Sequence, residues 1–352
     1  MPSFRVGVVT EVLLTRAGLQ RMRVEVDGVD ALAYALTDVV GLIAQGDRVV
    51  LNTTAVELKL GTGGSHVVHW NLSVDEVVRP GSGHIMKARY TSVQVDVGAA
   101  EEHHSQELSG VHSIDSMPVV VAVLHSQVAG IVAAVRATAA TVRIAYVMSD
   151  GAALPIAISD LVSDLRDVGW IDSTITAGNA FGGDYEAVNV WSALTVARHI
   201  AHADLVVVAP GPGVVGTGTR FGTTSVDMGG QLDAAGALGG IAVATVRASD
   251  ADARSRHQGL SHHCITALNL VAQRRCTVAL PISAVSSTLR AECVAAGIAA
   301  RHDIVDVVIP DIIDMFQQDH ISVASMGRPA AQDRLLFECA AASGAWAAQH
   351  VL

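Results

Sequence analysis

Leu205-Val206-Val207-Val208-Ala209, running directly into Pro210-Gly211-Pro212-Gly213, is the stretch that sets the fold class. An unbroken apolar run rich in valine suits a strand buried on both faces, because a half-exposed strand alternates with polar residues. The prolines and glycines then end the strand. A helix-like segment near Val226–Leu238 follows, and then a second apolar run, Ile241–Arg247. The same alternation extends outward in both directions. Upstream, Val119–Leu124 precedes a helical pattern at Val128–Ala137, and Val142–Met148 precedes one near Ile156–Val168. The short Ser173–Thr176 precedes Ala187–Ile200. Downstream, a helix is predicted from Ser261 to Gln273. Cys276–Leu280 then precedes Ser286–Ala296, and Val305–Ile309 precedes the last helices. Strand alternating with helix predicts an α/β domain over residues 118–352, a mostly parallel sheet with helices on both faces.

Residues 1–75 follow another pattern. Arg5–Thr10, Arg21–Val26 and Arg48–Asn52 are short valine-rich segments separated by Asp27-Gly28, Gly46-Asp47 and Gly61-Thr62-Gly63-Gly64. Short strands punctuated by turn residues predict a small all-β, barrel-like domain, which we expect to serve docking or dimerisation. Residues 76–117 read as a connecting segment, with Gly81, Gly83 and the Glu101-Glu102-His103-His104 run. Connections of this length are functional or mobile.

The bulk properties narrow the function classes. A chain of 352 residues fits two domains. Half is apolar and only 4% aromatic, so the core is built from Val, Ala, Leu and Ile. A formal charge of −11 with no basic run argues against nucleic-acid binding, which requires clustered cations. The apolar region from Met117 to Met148 is interrupted by His125, Gln127, Arg136 and Arg143, which argues against a membrane span. The first residues lack the layout of a signal peptide. Cys264, Cys276, Cys293 and Cys339 have no metal or redox spacing, so reduced thiols in the cytoplasm are expected. A homo-oligomer is the general expectation for such proteins.

Polar and glycine-rich motifs follow the predicted strands, where ligands bind in open parallel sheets. The glycines Gly211, Gly213, Gly216 and Gly218 allow close backbone approach to an anion, with Thr217 and Thr219 as hydroxyl donors. The spacing matches neither a dinucleotide fingerprint nor a Walker loop, and the alternative is a loop that needs glycine only for shape. Arg254 and Arg256 would neutralise the anion, unless they pair with Asp250 and Asp252. Ser261 caps a helix whose first turn carries His262 and His263. Adjacent histidines diverge on a regular helix, which argues against both ligating one metal. His125 and His257 are candidate proton carriers, and Asp150 and Asp184 candidate carboxylates for acid–base work. A lone histidine at a strand end is more often structural, and a lone aspartate is more often a cap or turn residue. No metal site is assigned, although His125, Asp184, His262 and His263 are the residues from which one would be built. No cofactor is indicated.

The segments Gly83–Tyr90, His125-Ser126-Gln127, Gly211–Thr219 and Arg256–His263 resemble a full-length bacterial family of unknown function, with actinobacterial and Gram-positive members. That resemblance implies no activity. Within the Gly83–Tyr90 segment, His84, Lys87 and Arg89 are further polar residues that would close over the sheet-edge site. The residues themselves favour a protein that binds or acts on a small anionic, phosphorylated metabolite. A metal-dependent hydrolase and a non-catalytic sensor or assembly module are the alternatives.

Overall fold

The computed structural model describes residues 2–60, 64–79, 81 and 83–351. The turn expected at Gly61-Thr62-Gly63 lies outside them. The chain divides into two compact units, residues 1–97 and 98–352, so the segment read as a connection is shared between them.

The first unit is built on a closed five-stranded barrel. Its strands are Phe4–Arg16, Leu19–Val26, Val29–Leu36, Arg48–Asn52 and Ser65–Asn71. They run in the order first, second, third, fifth, fourth, and the fourth closes on the first. Pairing is antiparallel except between the third and fifth strands. Asp27 and Gly28 both have positive φ, 53° and 75°. That is the conformation a two-residue hairpin turn demands, and Asp-Gly adopts it readily. The long first strand bends through register shifts at Val9/Glu11 and Val12/Leu14, which lets it curve round the barrel. Val9, Met22, Val24, Ala35, Val49 and Leu51 fill the interior. Val29–Leu36 and Ser65–Asn71 escaped the sequence reading. The third strand points Ala33 and Ala35 inward, and alanine carries little strand signal.

The second unit contains an eight-stranded sheet, parallel throughout. In spatial order its strands are Tyr185–Ala187, Ser173–Ala177, Ile144–Ser149, Leu205–Pro210, Pro118–Val121, Ile241–Ala244, Thr277–Pro281 and Asp303–Val307. The central strands are apolar at every position because both faces are covered. On one face Val119, Val121, Val206 and Val208 pack against Leu194, Met228, Leu232 and Leu268. On the other, Val120, Ile144, Tyr146 and Val207 pack against Val128, Ile131, Leu165 and Phe337. Each such side chain contributes about 1.5–3 kcal/mol by burial.

The connections explain which helix takes which face. Parallel crossovers are right-handed. The chain first moves outward from Pro118–Val121 to Ile144–Ser149 and Ser173–Ala177, which places helices Gln127–Thr138 and Asp160–Asp167 on the Phe337 face. It later moves the opposite way, which places Val190–His199, Asp227–Ala237 and Leu289–Ala295 on the other face. The reversal falls between the adjacent strands Pro118–Val121 and Leu205–Pro210. Loops leaving these two strands diverge to opposite faces and leave a crevice. The last helix, Arg334–Ala348, lies close against Gln127–Thr138. A Cβ at Gly344 would overlap the Ile131 carbonyl.

No helix among the described residues is long and apolar enough to cross a membrane. The four cysteines are free and buried, and burial pushes the thiols up, to about 11 for Cys264 and about 12 for Cys276.

Candidate functional site

At the reversal point lies a cleft of about 500 Å³. Leu124, His125 and Ser126 line it from the end of the Pro118–Val121 strand, and Pro212–Gly216 from the end of the Leu205–Pro210 strand. Arg247, Arg254, His257 and His263 form a further wall, and Ala324, Ser325 and Met326 of a small ribbon complete it. Gly213 takes a φ of 98°, which a side chain would strain. Gly216 is required for another reason: a Cβ there would overlap His263 Cε1. We expect Gly216→Ala to displace the imidazole and cost about 1–3 kcal/mol. A urea-unfolding titration checks this, and unchanged stability would show that the loop relaxes freely.

A charged network underlies the cleft. Asp252, 2% exposed, receives a bidentate contact from Arg254 at 2.9 and 2.7 Å. Arg328 reaches Asp252 at 3.3 Å and holds Asp333 through two bonds of 3.0 and 2.9 Å. Ser249 Oγ donates to Asp333 at 2.8 Å. The hydrogen bond to Arg254 holds the Asp252 carboxyl well below its usual range. Arg247 is different. Only 6% of its surface is exposed, its nearest carboxylate oxygen is 3.7 Å away on Asp252, and its guanidinium has no hydrogen bond to any described residue. Its burial lowers its pKa, since nothing close compensates fully for the lost water.

Three histidines meet beside this network. The rings of His262 and His263 lie 4.1 Å apart, and His257 lies 5.3 and 4.9 Å from them. The expected divergence of the adjacent pair is therefore not what the structure has. They occupy the first turn, where no preceding turn restricts the side chains. The helix is also shorter than expected: His262–Thr266 is α and Ala267–Val271 is a π turn, a distortion frequent at functional sites. Ser261 does cap it, its Oγ accepting from His263 N at 3.4 Å. That Oγ also meets His257 Nδ1 at 2.8 Å. Five α-helical residues make a weak dipole, so the helix start is not what would hold an anion. The Thr217 carbonyl can only accept, so His263 Nε2–H donates to it at 3.3 Å, leaving Nδ1 to face Thr223 Oγ1 at 3.3 Å. Burial drives the imidazoles toward neutrality: His257 falls to about 3, with Arg247 and Arg254 adding to the effect, and His263 to about 4.

His125 lines the cleft with both nitrogens engaged. Nδ1 lies 3.2 Å from the Pro210 carbonyl and 3.1 Å from Tyr146 Oη, and Nε2 lies 2.7 Å from Ser159 Oγ. Ser159 Oγ itself caps the next helix by accepting from Val162 N. Burial lowers His125 from 6.5 to about 4. Its folded pKa is thus below its unfolded one, so its stabilising contribution is complete above about pH 6.5 and is lost as pH falls toward 4. The expected slope is up to about 1.4 kcal/mol per pH unit. Stability measured from pH 7 to pH 4 should flatten in His125→Gln relative to the parent.

The other predicted residues fall elsewhere. Asp184 accepts from Arg166 and from Thr174 N at 2.8 Å, pinning a turn on the far side of the Ile144–Ser149 strand from the cleft. Asp150 accepts from Asn179 N at 3.0 Å and adds to the raised pKa that burial gives Asp227. Thr217 and Thr219 bond to each other at 2.8 Å and shape the loop tip. Gly211 passes close to the Ala153 carbonyl. Arg256 Nε is shielded from solvent without a partner among the described residues. Gly218 and His262 line a second cleft of about 470 Å³, with Arg220 and Asn269. His84, Lys87 and Arg89 belong to the first unit. Arg247, Arg328 and Asp333 were missed in the sequence. Only Arg247 carried a signal, as an arginine ending an apolar run.

Residues 31–344 match the model of a family described as a protein of unknown function (DUF3866). No curated protein matches the chain.

Proposed function

The chain belongs to this family of unknown function, and on the site's geometry we propose that it binds a small anionic, phosphorylated metabolite in the cleft where the sheet reverses direction. The observation that carries this reading is Arg247, a nearly buried guanidinium on the cleft wall whose donors no described residue takes up. The two carboxylates of the network are already committed to Arg254 and Arg328. A guanidinium left over beside them favours a phosphate or carboxylate, which it meets in bidentate fashion. Gly213 and Gly216, on the loop that lines the cleft, carry no side chain to hinder an anion's approach to the backbone. A position outside the carboxyl ends of parallel strands, at the reversal, is where such sheets hold ligands.

Titration calorimetry with inorganic phosphate, pyrophosphate and a set of sugar and nucleoside phosphates tests the reading. Saturable binding that weakens with added salt is expected. No binding or thermal stabilisation by any of them at millimolar concentration would end it.

A further inference from the structure

We propose that His257, His262 and His263 together hold one divalent transition-metal ion of the zinc class, with a coordination position left open. One ligand atom from each residue lies within 4.8 Å of the other two. Nitrogens around one tetrahedral ion at about 2.0–2.1 Å are roughly 3.4 Å apart, so small side-chain rotations close the set. The surroundings are arranged for it. Ser261 Oγ holds His257 Nδ1 at 2.8 Å, which fixes the ring and leaves Nε2 to ligate. His263 is oriented by the Thr217 carbonyl, and its other contact, to Thr223 Oγ1, is long at 3.3 Å. His262 Nε2 is shielded from solvent and has no partner among the described residues. A shielded ring nitrogen without a partner costs free energy that a metal bond would recover.

The donor set selects the metal. Three imidazoles without carboxylate or thiolate suit zinc, cobalt or nickel rather than magnesium or calcium. Three protein ligands are the number found at catalytic zinc sites, which keep the fourth position for water or substrate. The neighbouring Arg247 and Arg256 oppose a bare cation, so the fourth position is expected to carry an anionic group. His257 and His263 line the first cleft and His262 the second, so the ion would sit in the partition between them. This inference stands on the histidines alone and does not require the anion reading.

The test uses the untagged full-length protein, stripped by chelator and titrated with Co²⁺ while the visible spectrum is followed. The expected result is one Co²⁺ per chain, with the strong absorption of a four- or five-coordinate nitrogen site, displaced by one equivalent of Zn²⁺. His262→Asn and His257→Gln should each weaken Co²⁺ binding at least 30-fold. His262 is only partly buried, so its variant should keep the parent's circular dichroism and decides the matter if the His257 variant fails to fold. Absence of the absorption in the parent protein, or affinity unchanged in His262→Asn, overturns the proposal. Inorganic phosphate titrated into the stripped protein reads the anion site separately, so the two proposals fail independently.

Discussion

Arg247→Met is expected to lower the affinity for inorganic phosphate or pyrophosphate by roughly 30-fold or more, with little change in melting temperature. A charge-assisted hydrogen bond to a ligand contributes about 1.5–3 kcal/mol, and Arg247 is the cleft arginine whose only carboxylate contact is a 3.7 Å ion pair with Asp252 rather than a hydrogen bond. Methionine replaces the aliphatic stem, so the packing is largely kept. Asp252 keeps its bidentate contact with Arg254 and its contact with Arg328. The contrast with Arg254→Met is informative. That change removes the main partner of Asp252 and should reduce stability as well as binding. Calorimetry at two salt concentrations, beside thermal melts of both variants, separates these effects. Phosphate affinity identical in Arg247→Met and parent would show that the guanidinium faces no ligand.

Asp252→Ala has the largest expected effect on stability, about 3–5 kcal/mol, because it removes a buried carboxylate shared by one buried and two part-buried arginines and leaves those cations behind. Arg254 would lose both of its contacts, Arg328 one, and Arg247 its nearest counter-charge. In a unit of this size each kcal/mol moves the midpoint by about 2–4 °C, so the melt should fall by on the order of 10 °C. The pH dependence has a definite sign. The folded Asp252 carboxyl lies below its ordinary value of 3.8. Its contribution is therefore present above about pH 4 and is lost as pH falls through the depressed value. The acid limb of a stability–pH profile should be shallower in Asp252→Ala, and a parallel limb would show that the carboxylate is not held by its arginines.

Much of the larger unit was readable in the chain. Runs such as Leu205–Ala209 announce strands covered on both faces, and the helices between them announce parallel pairing. A cleft does lie beyond those strands and is lined by part of the glycine-rich segment that the chain places after Leu205–Ala209. The barrel was legible in its turns and not in its strand count, since Val29–Leu36 carries alanines where a stronger strand former would have marked it. Individual site residues were less legible. Asp184 and Asp150 look like catalytic carboxylates in the chain, yet one pins a turn through Thr174 and the other accepts from Asn179 N. A polar residue after a strand is equally suited to capping and to chemistry, and only its partners decide between them.

Most of the strands and helices of the larger unit, and their buried faces, were set by local pattern, because periodicities of two and of 3.6 residues are established within a few neighbours. The sequence by itself also determined that Gly213 could take a positive φ and that Asp27-Gly28 would turn. The tertiary structure alone decided that the 118–121 and 205–210 strands are neighbours, which follows from crossover handedness and the matching of apolar faces across the sheet. It alone brought Arg247 to a cleft whose carboxylates Arg254 and Arg328 already hold. It also folded His257, His262 and His263 into one cluster, because a short helix start leaves their rings free to converge where long-range packing directs them.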